Sequence, residues 1–278
     1  LEYQSALARD HRNAAALKER RDIDTILQDK ERAKVALEAG KGAIALSVID
    51  RLLQRSPGSD ELKLLRIDAL VTAGKYEEAY ADSGRLLTRF SQHPRLLFAR
   101  AKALYYQDNF DAAMKHLKAA LQADPDNSEC AKYLKMLRKL SDAKQKGNAA
   151  FKEEKWAEAI AAYSEALELD PANKAFNAKL LANRGAAYMK LRKYADAVAD
   201  CSSALEIDDD YTKARQRRAV CLKQLGGLEN LEKAMYDYEA LKRSASDHAT
   251  MRNYQREIHD LKGLIKKAKR KDYYKILG

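Results

Sequence analysis

The sequence has few of the residues that break helices, form cross-links or hold metals. Its 278 residues include only 4 prolines, 11 glycines and 3 cysteines. The cysteines (Cys130, Cys201 and Cys221) are odd in number and far apart, which indicates reduced thiols rather than a disulfide framework or a metal site. Five scattered histidines also lack metal spacing, and the chain has no glycine-rich phosphate loop or plausible triad. We therefore expect a non-catalytic protein without a cofactor or a metal.

Long apolar runs and a secretion signal are also absent. No stretch approaches the roughly 18 apolar residues that span a bilayer, and the N-terminus lacks the apolar core of a signal peptide. These absences predict that the protein has no membrane partner and resides in the cytoplasm. The chain also begins without methionine, so we expect it to start inside a longer protein.

Acidic residues are fewer than basic ones, 41 against 52, which leaves a net charge of +11. Such an excess favours acidic partners in general, nucleic acid among them, without choosing one. Alanine, leucine, lysine, glutamate and arginine dominate the composition, and these residues favour helices. With 46% hydrophobic residues, the chain can bury a substantial core. We predict an all-α fold.

Small or apolar residues recur every 34 residues in the first part of the chain. One series is Ala45, Ala79 and Ala113, and an upstream series is Ala33, Ile67 and Ala101. Pro57 and Pro125 follow two of the units, where a helix has to stop. A fixed period of this length predicts stacked supersecondary units.

The same kind of pattern is sharper in the second part. Its landmarks are Gly147, Ala159, Tyr163, Ala166 and Pro171, then Gly185, Tyr188, Ala197, Cys201 and Ala204, then Ala219, Ala234 and Tyr238. Small residues at these sites let paired helices approach closely, and the large ones fill the space between them. The pattern resembles the tetratricopeptide repeat (TPR), a helix–turn–helix unit of 34 residues, over nearly all of residues 26–246. The resemblance implies a superhelical solenoid.

The spacing of the repeats predicts how the chain is organised. Ala101 and Gly147 are 46 residues apart, which is one repeat plus 12 residues, and the extra segment keeps a helical periodicity. Gly147 and Gly185 are 38 apart, a lengthening of four. We predict the end of an upstream TPR group and a connecting helix at 1–25, a first three-repeat group at 26–127, a connecting helix at 128–139, a second three-repeat group at 140–246, a basic capping helix at 247–271 and the start of another domain at 272–278.

Five polar residues of the second group are predicted to share one groove. Lys144 and Asn148 lie one helical turn apart, as do Lys213 and Arg217, and Asn183 lies two residues before Gly185 on the helix between them. Three cations and two amides suit a terminal carboxylate with a neighbouring acidic side chain, because charge-assisted hydrogen bonds are the stronger kind.

These five positions resemble the two-carboxylate clamp of TPR co-chaperones. That clamp holds the acidic Glu-Glu-Val-Asp tails of the 70-kDa and 90-kDa heat-shock chaperones, and the resemblance implies those tails as partners. The equivalent residues of the first group are Lys30, Lys34, Leu65, Arg95 and Ala99. Both amides and one cation are missing there, so we predict no clamp in the first group, which is then a spacer or a surface for another partner.

The last residues resemble the opening of a J domain, the module that stimulates ATP hydrolysis by the 70-kDa chaperone. The resemblance rests on "DYYKILG" at 272–278, which follows a helix with one apolar stripe at 248–271. The His-Pro-Asp loop on which a J domain depends is not present. Together with the repeats, this implies a co-chaperone that joins TPR groups to a J domain.

Other readings stay open. Tyr105 and Tyr106 either line an apolar groove for unfolded clients, which makes the protein a holdase, or pack in the repeat core. The run "KKAKRK" is a nuclear localisation signal, a nucleic-acid patch or a solvated helix face. A solenoid that binds nucleic acid through its net charge is a third hypothesis, but we expect no specific nucleic acid partner.

Overall fold

The computed structural model describes residues 4–5, 8 and 12–277, and side chains as far as Arg270. Between residues 12 and 277 the chain forms thirteen α-helices and no strand, which confirms the predicted all-α fold. The helices are α1 (Ala14–Glu38), α2 (Gly42–Arg55), α3 (Asp60–Thr72), α4 (Tyr76–Leu87), α5 (Pro94–Tyr106), α6 (Phe110–Ala123), α7 (Ser128–Lys152), α8 (Trp156–Leu169), α9 (Lys174–Lys190), α10 (Tyr194–Ile207), α11 (Thr212–Leu225), α12 (Leu228–Ser244) and α13 (His248–Leu277). In the described part of the chain, no helix is long and apolar enough to cross a membrane.

The chain forms two compact units that divide at Leu134. The first unit contains α1 to α6 and the beginning of α7, and the second contains the rest of α7 and α8 to α13. The predicted connecting helix at 128–139 is helical, but it runs without a break into the first helix of the second group. Twelve residues of uninterrupted helical periodicity, with no proline or glycine before Gly147, are the reason.

The recurring small residues form the contact surfaces between helices. Ala33, Ala45, Ala79, Ala101 and Ala113 are all fully buried. In the second unit Gly147 faces Tyr163 so closely that a Cβ would lie 2.6 Å from a ring carbon. The 34-residue pattern therefore marks sites where a larger side chain would push the helices apart.

A left-handed residue makes the tight turn inside the repeats. Gly40 and Gly74 adopt φ of 69° and 76°, which glycine tolerates best. The corresponding turns of three later repeats use non-glycine residues with φ near 60°: Asp108, Glu154 and Arg192. The last repeat has two left-handed residues in succession, Gly226 and Gly227.

The four-residue lengthening in the second unit becomes one extra turn at the start of α9. This helix begins eleven residues before Gly185, whereas α11 begins seven residues before the equivalent Ala219. The Asn173 side chain caps the added turn by accepting from the Phe176 N–H, and Asn177 Nδ2 donates to the Asp170 carbonyl at 2.8 Å. The rest of α9 keeps its register, because four residues are close to one full turn.

Of the two alternatives for Tyr105 and Tyr106, a client groove or the repeat core, the structure supports the repeat core. Tyr105 is fully buried and packs edge-on against Phe110 and Tyr133. Tyr106 stacks on Tyr76 with ring centroids 4.2 Å apart. Both tyrosines are therefore part of the repeat core.

Two predicted segments fall wholly or partly outside the described residues. The upstream TPR tail lies mostly in residues 1–11, of which only 4, 5 and 8 are described. The helix α13 continues through residues 272–277, but side chains beyond Arg270 are not described. The resemblance of 272–278 to a J domain therefore stays a prediction.

Candidate functional site

The five predicted binding residues lie on the first helices of the three repeats in the second unit. Lys144 and Asn148 are on α7, Asn183 is on α9, and Lys213 and Arg217 are on α11. Lys213 is exposed, and the other four are partly buried. We call this set the clamp face.

A buried tyrosine orients the amide of Asn148. Tyr163 on α8 donates its hydroxyl proton to Asn148 Oδ1 at 2.8 Å. Burial raises the pKa of Tyr163, an effect that the charge of Arg217 reduces, so the hydroxyl remains a neutral donor. Because Oδ1 is occupied, the Nδ2 hydrogens of Asn148 are left to donate to a ligand.

Lys144 and Arg217 connect the outer two helices of the clamp face to the middle one. The Lys144 ammonium lies 5.0 Å from the ring centroid of Phe176, which belongs to the added turn of α9. Arg217 Nη1 donates to the Ala182 carbonyl at 2.6 Å, next to Asn183. The extra turn thus supplies a contact to the clamp face.

Asn183 and Lys213 are available to a ligand. Within the described part of the chain, neither side chain makes a hydrogen bond or an ion pair, and neither is buried. The structure thus presents amide donors from two helices and cations from two helices. Such a set suits a carboxylate.

A row of arginine–aspartate pairs fixes these helices, and it was not among the residues predicted from the sequence. Arg184 donates through Nε and Nη2 to both oxygens of Asp200 at 2.8 Å, and through Nη1 to Ser164 Oγ at 2.8 Å. Arg218 makes the equivalent bonds to Asp237 at 2.8 and 2.7 Å and to Ser202 at 3.4 Å. Each arginine directly follows a clamp-face residue and joins its helix to two others.

The arginines of this row recur at one position of the repeat, so the sequence contained a signal for it. Arginines occur at the same repeat position in Arg66, Arg100, Arg184 and Arg218. Arg66 also joins its helix to two others, but it does so through two aspartates, donating from Nε to Asp50 and from Nη1 to Asp82. Arg100 instead donates to the Tyr80 carbonyl, because its own repeat has His116 in place of the aspartate.

In the first unit, two cations at the matching positions are paired with carboxylates of the same unit. Lys30 binds Glu61 at 2.6 Å, and this hydrogen bond lowers the pKa of Glu61. Arg95 Nε donates to Asp68 Oδ2 at 2.7 Å. Leu65 and Ala99 are buried. An acidic ligand would have to displace these carboxylates. The absence of a clamp in this unit stays a prediction.

We expect Tyr163→Phe to weaken carboxylate-peptide binding about 2- to 10-fold, because a hydrogen bond that holds Asn148 contributes roughly 0.5–1.5 kcal/mol. In an Asn148→Ala background, the same substitution should have no further effect on the Kd. The matched control is Tyr238→Phe in the last repeat, where the buried tyrosine packs near Tyr254. Additive losses in the double variant would show that Tyr163 does not act through Asn148.

Among the described residues, no group of three or more His, Cys, Asp or Glu side chains is arranged to hold a metal ion. All three cysteines are buried and unpaired. Burial raises the pKa of Cys201 to about 11 and that of Cys221 to about 12, so both are inert thiols near neutral pH.

Comparison with known proteins gives the same repeats. Tetratricopeptide repeat models match residues 30–94, 70–140 and 178–211, and a TPR repeat model matches residues 147–191. DnaJ homolog subfamily C member 7 of Mus musculus is 35% identical over 99% of this chain and 54% of its own length. Its homolog in Dictyostelium discoideum is 36% identical over 97% of this chain and 49% of its own length. The chain thus spans about half the length of these relatives.

The crystal structure of the P58(IPK) TPR domain shares the fold. It matches with a TM-score of 0.66 and 17% identity, over 93% of this chain and 70% of that one.

Proposed function

Because the chain belongs to the tetratricopeptide repeat family and 99% of it aligns with DnaJ homolog subfamily C member 7, we propose that it is the tail-binding part of a non-catalytic co-chaperone. In this proposal the second group binds the C-terminal Glu-Glu-Val-Asp tails of the 70-kDa and 90-kDa heat-shock chaperones. The five residues of the clamp face, Lys144, Asn148, Asn183, Lys213 and Arg217, make the contacts.

The orientation of Asn148 is the observation that carries the proposal. Its amide is held by Tyr163 with Oδ1 occupied, so that its donors, and not its acceptor, are left for the ligand. Asn183 and Lys213 add donors with no partner among the described residues. A surface that offers donors from three neighbouring helices selects a ligand rich in acceptors, and a chain terminus with an adjacent acidic residue is such a ligand.

In this proposal, the terminal carboxylate of the tail and a nearby acidic side chain are bound by different residues. The terminal carboxylate accepts from the amides and from Lys144, and the acidic side chain nearby meets Lys213 and Arg217. Charge-assisted hydrogen bonds contribute on the order of 1.5–3 kcal/mol each. The net affinity is lower than their sum, because the peptide loses conformational freedom on binding.

The steps that follow tail binding are proposed for the whole protein. We propose that a J domain beginning at 272–278 acts on the ATPase of the 70-kDa chaperone and that clients pass between the two chaperones. The cytoplasm is the proposed compartment, with the nucleus as a second one if "KKAKRK" serves as a localisation signal.

The test is a titration of the chain into a fluorescent peptide that ends in Glu-Glu-Val-Asp. We expect saturable binding of one peptide per chain, since Lys30 and Arg95 at the matching positions of the first unit are already paired with Glu61 and Asp68. A peptide of apolar residues without a free carboxylate should not bind. Binding of the apolar peptide alone would favour an unfolded-polypeptide holdase and contradict the proposal.

A further inference from the structure

The outer side of α13 carries a stripe of cations. Its inner side packs on α12 through the buried residues Ile258, Leu261 and Ile265. The described part of the helix has seven cations and two carboxylates. All seven cations are exposed, and the six that make no ion pair within the described residues form what we call the basic stripe: Arg252, Arg256, Lys262, Lys266, Lys267 and Arg270.

The carboxylates of α13 do not neutralise this stripe. Glu257 and Asp260 both face Lys223 of α11, at 2.7 and 3.9 Å. The seventh cation, Lys269, is bound to Glu232 of α12 at 3.0 Å. Within the described residues, no carboxylate lies within ion-pair distance of the stripe. Its charge is therefore left for an external anion.

The stripe differs from the clamp face in chemistry. None of its described side chains is buried, and the neighbouring amide of Gln255 is occupied by a hydrogen bond from Lys242 of α12. The stripe also has no aromatic residue, because Tyr254 packs inward near Tyr238. A partner of this surface is held by charge alone, and single-stranded nucleic acid, which depends on base stacking, is a poor match.

The geometry points to a partner with dense and regular negative charge. From Arg252 to Arg270 the stripe is about 27 Å long, at 1.5 Å per residue. A nucleic-acid duplex carries one charge per about 1.7 Å of its axis, enough to face every cation of the stripe. We propose that the basic stripe of α13 binds the phosphate backbone of duplex nucleic acid without reading its sequence.

The probe is a fluorescein-labelled DNA duplex of about 20 base pairs, followed by fluorescence anisotropy with the full chain. If four or five phosphates are contacted, affinity falls on the order of 10²–10³-fold between 50 and 200 mM salt. Duplexes of different sequence should bind equally. The single strand of the same length should bind more weakly than the duplex.

The deciding variant replaces Lys262, Lys266, Lys267 and Arg270 with glutamine. Glutamine keeps the helix propensity, and these exposed side chains do not enter the core. We expect at least a tenfold loss of affinity at 50 mM salt and a flatter salt dependence. The matched control replaces four exposed lysines outside α13 with glutamine, Lys115, Lys118, Lys132 and Lys135, and should bind like the wild type.

Three results would overturn the proposal. Equal losses in the two variants would mean that only net charge matters. Tighter binding of the single strand would mean that bases are contacted. Tighter binding of polyglutamate than of the duplex, lost in the α13 variant, would assign the stripe to an acidic polypeptide. None of these results depends on the clamp face, so they leave the proposed tail binding untouched.

Discussion

Replacing Lys213 and Arg217 with glutamate should weaken binding of a Glu-Glu-Val-Asp peptide by at least about 100-fold. Each substitution removes a charge-assisted hydrogen bond of roughly 1.5–3 kcal/mol and adds repulsion toward an acidic ligand. Because a factor of ten in Kd corresponds to about 1.4 kcal/mol, two such losses exceed 100-fold. Fluorescence anisotropy with the labelled peptide measures the effect.

Two further variants separate this loss from other causes. Lys30→Glu/Arg95→Glu changes the net charge equally at first-unit positions that correspond to Lys144 and Lys213, and should leave peptide affinity unchanged. Lys213→Glu alone affects an exposed residue with no bond to the described chain, so misfolding would not explain its loss of binding. Equal losses in the two double variants would contradict the clamp.

Asp237→Ala should destabilise the second unit by about 3 kcal/mol or more. Asp237 is fully buried, accepts two hydrogen bonds from Arg218, and lies 3.6 Å from Arg215, which is itself buried. Removing the carboxylate leaves the partly buried guanidinium of Arg218 without its counter-ion, which is more costly than losing the whole pair. Domains have only about 5–15 kcal/mol of stability, so thermal unfolding should begin roughly 10 °C lower.

The double variant Asp237→Ala/Arg218→Met tests the reason for that loss. It also removes the Arg218 charge that Asp237→Ala leaves without a carboxylate partner, and Arg215 keeps its 2.7 Å pair with Asp209. We therefore expect it to unfold at a higher temperature than Asp237→Ala. Circular dichroism follows both transitions. If the double variant is the less stable of the two, the cost comes from lost packing rather than from a buried charge.

The repeat core could be predicted because its signal is local and periodic. Helix pairs of fixed length bring the same positions into contact, so Ala45, Ala79 and Ala113 are equally buried. Likewise, the spacing of Lys144 from Asn148 and of Lys213 from Arg217 places each pair on one helix face. No part of this depends on contacts between distant residues.

The sequence did not predict features that depend on contacts between distant residues. Tyr105 was an apolar residue of uncertain direction, and its burial depends on Phe110 and Tyr133. The bond between Tyr163 and Asn148 joins two helices and has no trace in the period of either. The location of the four added residues follows from the bonds of Asn173 and Asn177, which the repeat spacing alone does not reveal.

The central claim is that the second unit recognises a free terminal carboxylate. The most direct measurement compares the Kd of the peptide ending in Glu-Glu-Val-Asp with that of its C-terminally amidated twin, which has the same side chains. Amidation removes one negative charge and an acceptor, so we expect affinity to fall at least about tenfold. Equal affinity for the two peptides would contradict the clamp and, with it, the proposed function.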